Sequence, residues 1–409
     1  MPTTTSTTTT EQSCELFNGL DFSGVDIKNM PSPSAMACMN ACMNNPQCKY
    51  FTHLSKQRWC YLKRSGTGSK GRDGATGGDC SRIGQHAAVT TTTVPEALDG
   101  EGMRWMEFPR APASVQETVS ILVNGILYTW GEGEQTTLAF DTKAYSWVRD
   151  KNYAVRKYTA GHHAVAAVGP TIILVGGVQR TSNNAAGVRF SKMVQLYDTK
   201  KNKWKTGAAY PHGPAASIQI VTINRVVYAC GGLTAMGVTR NCAKYLVDVN
   251  KWSPFRSMLF SVHHAAAGTD GSKMYVFGGR TNNVNKVADG TRTIQVYDPN
   301  TNKWAKLAAK TPFKWAGMGA APFINGEFWI MGGETKTQYD LATKDKVFTK
   351  VRSFDPVTST WTIRPSMLHG VHGIFPVVDN QKKCIYVVGG GRQAGLFAAT
   401  DAMQVLFVE

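Results

Sequence analysis

Met274-Tyr-Val-Phe-Gly278-Gly279 is an apolar run that stops on two glycines, and Tyr297-Asp298-Pro-Asn-Thr-Asn-Lys-Trp304 follows it with an aromatic–Asp pair and a tryptophan six residues after the Asp. Four apolar residues bounded by turn signals suit a strand buried on both faces. Glycine at the end of such a strand permits close backbone approach or a positive φ. Asp-Pro-Asn-Thr-Asn is turn chemistry joining two further strands. The tryptophan brings a large apolar surface to pack between sheets. One such stretch predicts a unit of four short strands.

The stretch recurs along the chain. Apolar runs end on Gly176-Gly177, Gly231-Gly232, Gly278-Gly279, Gly332-Gly333 and Gly389-Gly390, after a degenerate first copy at Gly131-Glu-Gly133. The first glycines are 45, 55, 47, 54 and 57 residues apart by subtraction. The second mark recurs in register as Phe140-Asp141…Trp147, Tyr197-Asp198…Trp204 and Phe354-Asp355…Trp361, and Asp248…Trp252 reads as a compressed copy. Two spaced marks at a period of about 50 residues resemble the kelch repeat, and radial repetition implies a propeller. The resemblance covers about residues 103–409.

Six units are expected, with the ends of the chain meeting. The last unit stops at Met403-Gln-Val-Leu-Phe407, short of a tryptophan strand, while Arg104-Trp105-Met-Glu-Phe108 is a tryptophan strand with no diglycine before it. Pairing the two completes the last blade and removes an exposed strand edge.

A different composition precedes the repeats. Six of the nine cysteines lie between Cys14 and Cys80, a density suited to a disulfide scaffold. A helix is predicted over Ala35 to Met43, placing Cys38 and Cys42 on one face. Lys49 to Leu54 and Trp59 to Leu62 read as paired strands, and Gly66 to Gly78 as a glycine-rich loop. Spacing alone would leave roughly 15 pairings of six cysteines open, and it fits a zinc site poorly. The cysteine order, with the second and third on a helix, resembles the PAN/apple domain over residues 12–82. That resemblance implies the bridges Cys14–Cys80, Cys38–Cys60 and Cys42–Cys48. A domain of about 70 residues needs such staples.

The expected organisation is a threonine-rich tail at 1–11, the PAN/apple-like domain at 12–82, a threonine-rich linker at 83–101 and the six-bladed propeller at 102–409. The fold class is all-β with a small α+β disulfide-rich satellite. Hydrophobic content of 42% with 18% charged residues excludes global disorder. No run approaches the roughly 20 apolar residues that span a bilayer. No signal sequence is visible at Met1 and no N-glycosylation sequon occurs. The cysteines nevertheless point to a secreted or extracellular protein whose leader would precede residue 1.

The formal charge is 45 − 28 = +17, which attracts polyanions. RNA-recognition signatures and a basic helix are lacking, so the expected partner is a protein or an acidic glycan rather than nucleic acid. Histidines cluster where units begin: His162-His163, His212, His263-His264, His369 and His372, with Lys314-Trp315 in that slot of the fifth unit. The loops after the diglycines bring Gln179, Arg180, Arg240, Arg280, Lys336 and Arg392. The resemblance places both connections on one face around the channel mouth. A binding rim of Arg180, Arg240, Arg280, Lys336, Arg392, His162, His212, His263, Trp315 and His369 follows, suited to an acidic ligand through charge-assisted hydrogen bonds. The competing reading packs each histidine inside its own repeat.

No carboxylate pair, copper-oxidase constellation, metal site or cofactor is expected from the spacing. Cys230 and Cys242 bracket the third unit's loop and bridge it in an oxidising compartment, and Cys384 reads as a free core thiol. The functional expectation is an extracellular or cell-surface adhesion protein, not an enzyme. It would recognise a protein or acidic carbohydrate through the rim and the PAN/apple module. The alternatives are an extracellular kelch-type enzyme (sugar isomerase or copper oxidase) and an intracellular kelch adaptor.

Overall fold

The computed structural model describes residues 15–32, 35–43, 45, 47–66, 69–80, 102–149, 151–180, 188–282, 290–338, 342–395 and 398–408. The chain divides into two compact units, residues 1–96 and 97–409.

The first unit is a five-stranded antiparallel sheet with one helix. In spatial order its strands are Glu15–Phe22, Ser69–Asp79, Tyr50–Leu54, Trp59–Lys63 and Asp26–Pro31. The helix Ala35–Met43 packs the buried Cys38, Met39 and Cys42 against Phe51, Cys60 and Leu62. Cys38–Cys60 and Cys42–Cys48 are bridged. Cys80 is also disulfide-bonded, and its expected partner Cys14 lies outside the described residues. The expected glycine-rich loop is instead the long strand Ser69–Asp79. Glycine is a poor strand former in isolation, but this segment is bracketed by Glu15–Phe22 and Tyr50–Leu54, so both its edges are hydrogen-bonded.

The second unit holds, among the described residues, six four-stranded antiparallel sheets. The strands nearest the axis are Val119–Val123, Ala164–Val168, Gln219–Ile223, Ala266–Thr269, Phe323–Ile324 and Val377–Asp379, which open blades one to six. Blade four continues through Met274–Phe277, Ile294–Asp298 and Lys303–Lys306, as its diglycine and tryptophan predict. Blade six is completed by Arg104–Phe108, whose Trp105 pairs with Leu406 of Met403–Phe407. The ring therefore closes by joining its two ends.

The outer tryptophans of blades one to four reach back across the seam before their blade. Nε1 of Trp147, Trp204, Trp252 and Trp304 donates to the carbonyls of Pro109, Ala154, Ala208 and Arg256. The turn asparagines Asn202, Asn250 and Asn302 sit at positive φ. Each accepts a tyrosine hydroxyl of its own blade (Tyr197, Tyr245, Tyr297) and an amide of the previous one. The third copy is not compressed. Tyr245 pairs with Trp252 as Tyr197 pairs with Trp204, and Leu246 stands where Asp198 caps its turn. The diglycine marks where blades touch backbone to backbone: a Cβ on Gly176 would lie 2.2 Å from the Ala215 carbonyl oxygen.

The axial channel is divided. Phe375 lines both a polar chamber of about 40 Å³ on the diglycine side and a wider funnel of about 510 Å³ beyond it.

Candidate functional site

The polar chamber is built from one slot in each blade, just before its innermost strand. The slot residues are Glu117, His162, Ser217, His264, Gly317 and Gly373, all at positive φ between 47° and 87°. Four are not glycine, and this conformation costs a side-chain-bearing residue energy that the surroundings must supply. Backbone hydrogen bonds link several neighbouring slots. Ser217 N donates to His162 O, Gly317 N to His264 O and Gly373 N to Gly317 O. The constrained backbone gathers the slot residues around the axis, where all six line the chamber.

Glutamines steady the loops that feed these slots. Gln195, Gln295 and Gln404 each donate to a loop carbonyl and accept the amide of the same residue, at Tyr158, Phe260 and His369. In blade three His212 does this work, donating Nε2–H to the Cys242 carbonyl at 2.9 Å.

The chemistry of the chamber is concentrated in carboxylates and imidazoles. His162 Nε2 is 3.3 Å from Glu117 Oε2, and His372 Nδ1 stands 3.6 Å from both Glu117 Oε1 and Glu334 Oε2. Arg280 is buried and pairs with Glu334 at 2.5 Å. His263 Nδ1 lies 2.5 Å from His264 Nδ1, and Ser217 Oγ 3.2 Å from His264 Nε2. Burial pushes the Glu117 carboxyl up to about 7, with His372 opposing and Glu334 adding to the rise. Burial works to raise Glu334 too, but His372 and Arg280 outweigh it and hold its carboxyl below the usual value. Burial, with Arg280 beside it, holds His263 down to about 4; burial and His263 hold His264 well below its ordinary range. A buried imidazole beside a guanidinium stays neutral.

The residues expected to form a rim separate into two groups. Arg240, Lys336 and Arg392 are exposed on post-diglycine loops. His369 joins them at the edge: Arg392 donates to its Nδ1 at 3.2 Å, so its Nε2–H donates to Glu107 at 2.6 Å. Arg280, His263, Trp315 and His162 turn inward. Arg280 and His263 are buried, and their backbones pair with each other. They face inward because Glu334 and His264 supply the partners that water would otherwise provide. Trp315 is fully buried against Phe313 and donates Nε1–H to the Gly332 carbonyl. His162 faces the chamber and His212 is half-buried on the third blade's loop. Arg180 pairs through its backbone with Val188, and its side chain lies outside the described residues.

Sequence reasoning passed over Glu117, Ser217 and Glu334. The signal was positional. Glu117 stands two residues before its strand, as His162, Ser217 and His264 do before theirs. Glu334 follows its diglycine as Arg280 follows its own.

Comparison with known proteins agrees with this architecture. Residues 12–82 match the PAN domain family, and residues 261–311 match the Kelch motif family. Kelch-like protein 25 of Xenopus tropicalis is 28% identical over 56% of this chain and 36% of its own length. Alpha-scruin of Limulus polyphemus is 26% identical over 58% of this chain and 26% of its own. Kelch-like protein terF of Aspergillus terreus is 26% identical over 71% of this chain and 63% of its own. The chain thus spans less than two thirds of each of these relatives. The solved structure of YjhT superposes with a TM-score of 0.60 at 18% identity, covering 72% of this chain and 95% of that one, a likeness of fold.

Proposed function

We propose that this chain, a kelch-repeat protein with an N-terminal PAN domain, is a recognition protein acting outside the cell or at its surface. It takes a protein or an acidic carbohydrate on the diglycine face of the propeller, with the PAN domain as a second binding module. One observation carries the reading: on loops of that face, apolar and cationic side chains are exposed together. Met236 is 99% exposed at the tip of blade three's hairpin, and Leu259, Phe260 and Leu368 are 43%, 44% and 45% exposed before blades four and six. Arg240, whose carbonyl accepts from Met258 N, and Arg392, beside His369, belong to the same loops. Exposed methionine, aromatic and arginine side chains are the composition of interface cores. Bridged cysteines in both units support an oxidising compartment.

The test is binding to a panel of sulfated, carboxylated and neutral glycans and acidic proteins at rising salt. Binding should weaken with salt and be lost when Arg240, Lys336 and Arg392 are all replaced by glutamate. Binding indifferent to both would remove this reading. Free thiols at Cys38 and Cys60 in protein from its native source would move it inside the cell.

A second reading, an enzyme at the channel mouth, is favoured by Glu117 and Glu334 flanking His372. The chamber's volume of about 40 Å³ suits an ion or a few waters rather than a sugar ring, so a substrate of that size would have to stay outside it.

A further inference from the structure

We propose that Glu117, His162 and His264 bind a divalent transition-metal ion of the zinc class on the propeller axis. One ligand atom from each, contributed by blades one, two and four, lies within 4.8 Å of the others. Two ligands on a tetrahedral zinc, each about 2.0–2.1 Å from the ion, stand roughly 3.3 Å apart. His162 Nε2 and Glu117 Oε2 are separated by 3.3 Å. One carboxylate and two imidazoles form a donor set that zinc accepts, and a fourth position remains on the chamber side.

The proton positions follow from the hydrogen bonds. The Asn282 carbonyl can only accept, so His263 Nε2, 3.0 Å away, carries a hydrogen. With that hydrogen on Nε2, His263 Nδ1 presents a lone pair. His264 Nδ1, 2.5 Å off, donates to it. His264 Nε2 therefore points a lone pair, not a hydrogen, at Ser217 Oγ and the chamber. Partners that fix the tautomer of a ligating histidine are the usual outer shell of a metal site. Ser217 is placed to hydrogen-bond a water on the fourth position.

The site stands independently of the loop-face reading. It is tested on the untagged full chain, stripped with chelator, dialysed and titrated calorimetrically with Zn²⁺ and spectroscopically with Co²⁺. One ion per chain should bind, and Co²⁺ should develop visible ligand-field bands. Glu117→Gln and His264→Ala should abolish both signals. His263→Ala, which disturbs only orientation, should weaken affinity about 10–100-fold. Unfolding curves in chelator separate loss of ligand from loss of fold, and the Co²⁺ spectrum of the unaltered chain needs no variant. A chain without saturable uptake or bands, or uptake unchanged in a folded His264→Ala variant, would overturn the proposal.

Discussion

The indole Nε1 of Trp105 donates to the carbonyl oxygen of Pro365, 2.9 Å away and 260 positions along the chain. This is the interblade contact made by Trp147, Trp204, Trp252 and Trp304, here carried across the seam of the ring. Trp105 and Met103 also pack against the core cluster containing Trp329, Ile385 and Leu406. Trp105→Ala should therefore cost about 3 kcal/mol, the low end for indole truncation because the ring is only half-buried. Urea unfolding followed by circular dichroism measures it. A midpoint equal to that of the parent would show that the seam contributes nothing to holding the ring.

Arg280 and Glu334 are each buried and join blades four and five. Removing the carboxylate takes from the buried Arg280 the counter-charge it pairs with, so Glu334→Gln should destabilise by about 3–5 kcal/mol. The pH dependence has a definite sign. A carboxyl held below its ordinary value in the folded state stabilises above the unfolded value of 4.5 and loses that contribution as pH falls through the folded value. The gap in melting temperature between parent and Glu334→Gln should hence be widest near pH 7 and close on acidification below 4.5. A gap independent of pH would mean that the substitution acts through packing alone.

The cysteines of the propeller divide by environment. Cys230 and Cys242 face each other across adjacent strands and are bridged. Closing a loop of 12 residues is worth up to about 3 kcal/mol by chain entropy, and less where a strand ladder already joins the ends. Cys242→Ser should thus lower stability by about 1–3 kcal/mol. Cys384 is buried, and burial pushes its thiol up to about 12. The thiolate is the reactive form, so peptide mapping after iodoacetamide treatment of the native chain at pH 8 should find Cys384 unmodified until denaturant is added. Labelling without denaturant would contradict the packing of this strand.

What could be read beforehand followed physical uniqueness. The diglycines and tryptophans were legible because only bare backbone fits between blades at Gly176 and only a large ring spans them at Trp204. Ring closure was legible because the strand missing after Phe407 is present at Trp105. The third repeat was misaligned because Leu246 replaces its turn aspartate while Tyr245 and Asn250 keep the register. Ser69–Asp79 read as a loop because its strand character comes from neighbours, not from glycine. The chamber was hidden for a related reason. Histidines could be counted, but Glu117 sits in a degenerate first repeat, and the partner that turns Arg280 inward is Glu334, 54 residues away.

Phe375 and Gly319 offer a clean test of how the axis is packed. A Cβ on Gly319 would fall 2.2 Å from Phe375 Cδ2. Gly319 does not have a positive φ, so alanine there meets a steric obstacle and no backbone penalty. Gly319→Ala should cost about 1–3 kcal/mol by overpacking, and Phe375→Ala about 2–4 kcal/mol by opening the wall between chamber and funnel. The two changes relieve one another, because the added methyl enters space that the ring has left. The double variant should accordingly be more stable than the sum of the single losses allows, by at least about 1 kcal/mol. Strictly additive losses in a denaturation cycle would show that Phe375 is not the group pressing on Gly319, and that the ring does not partition the channel.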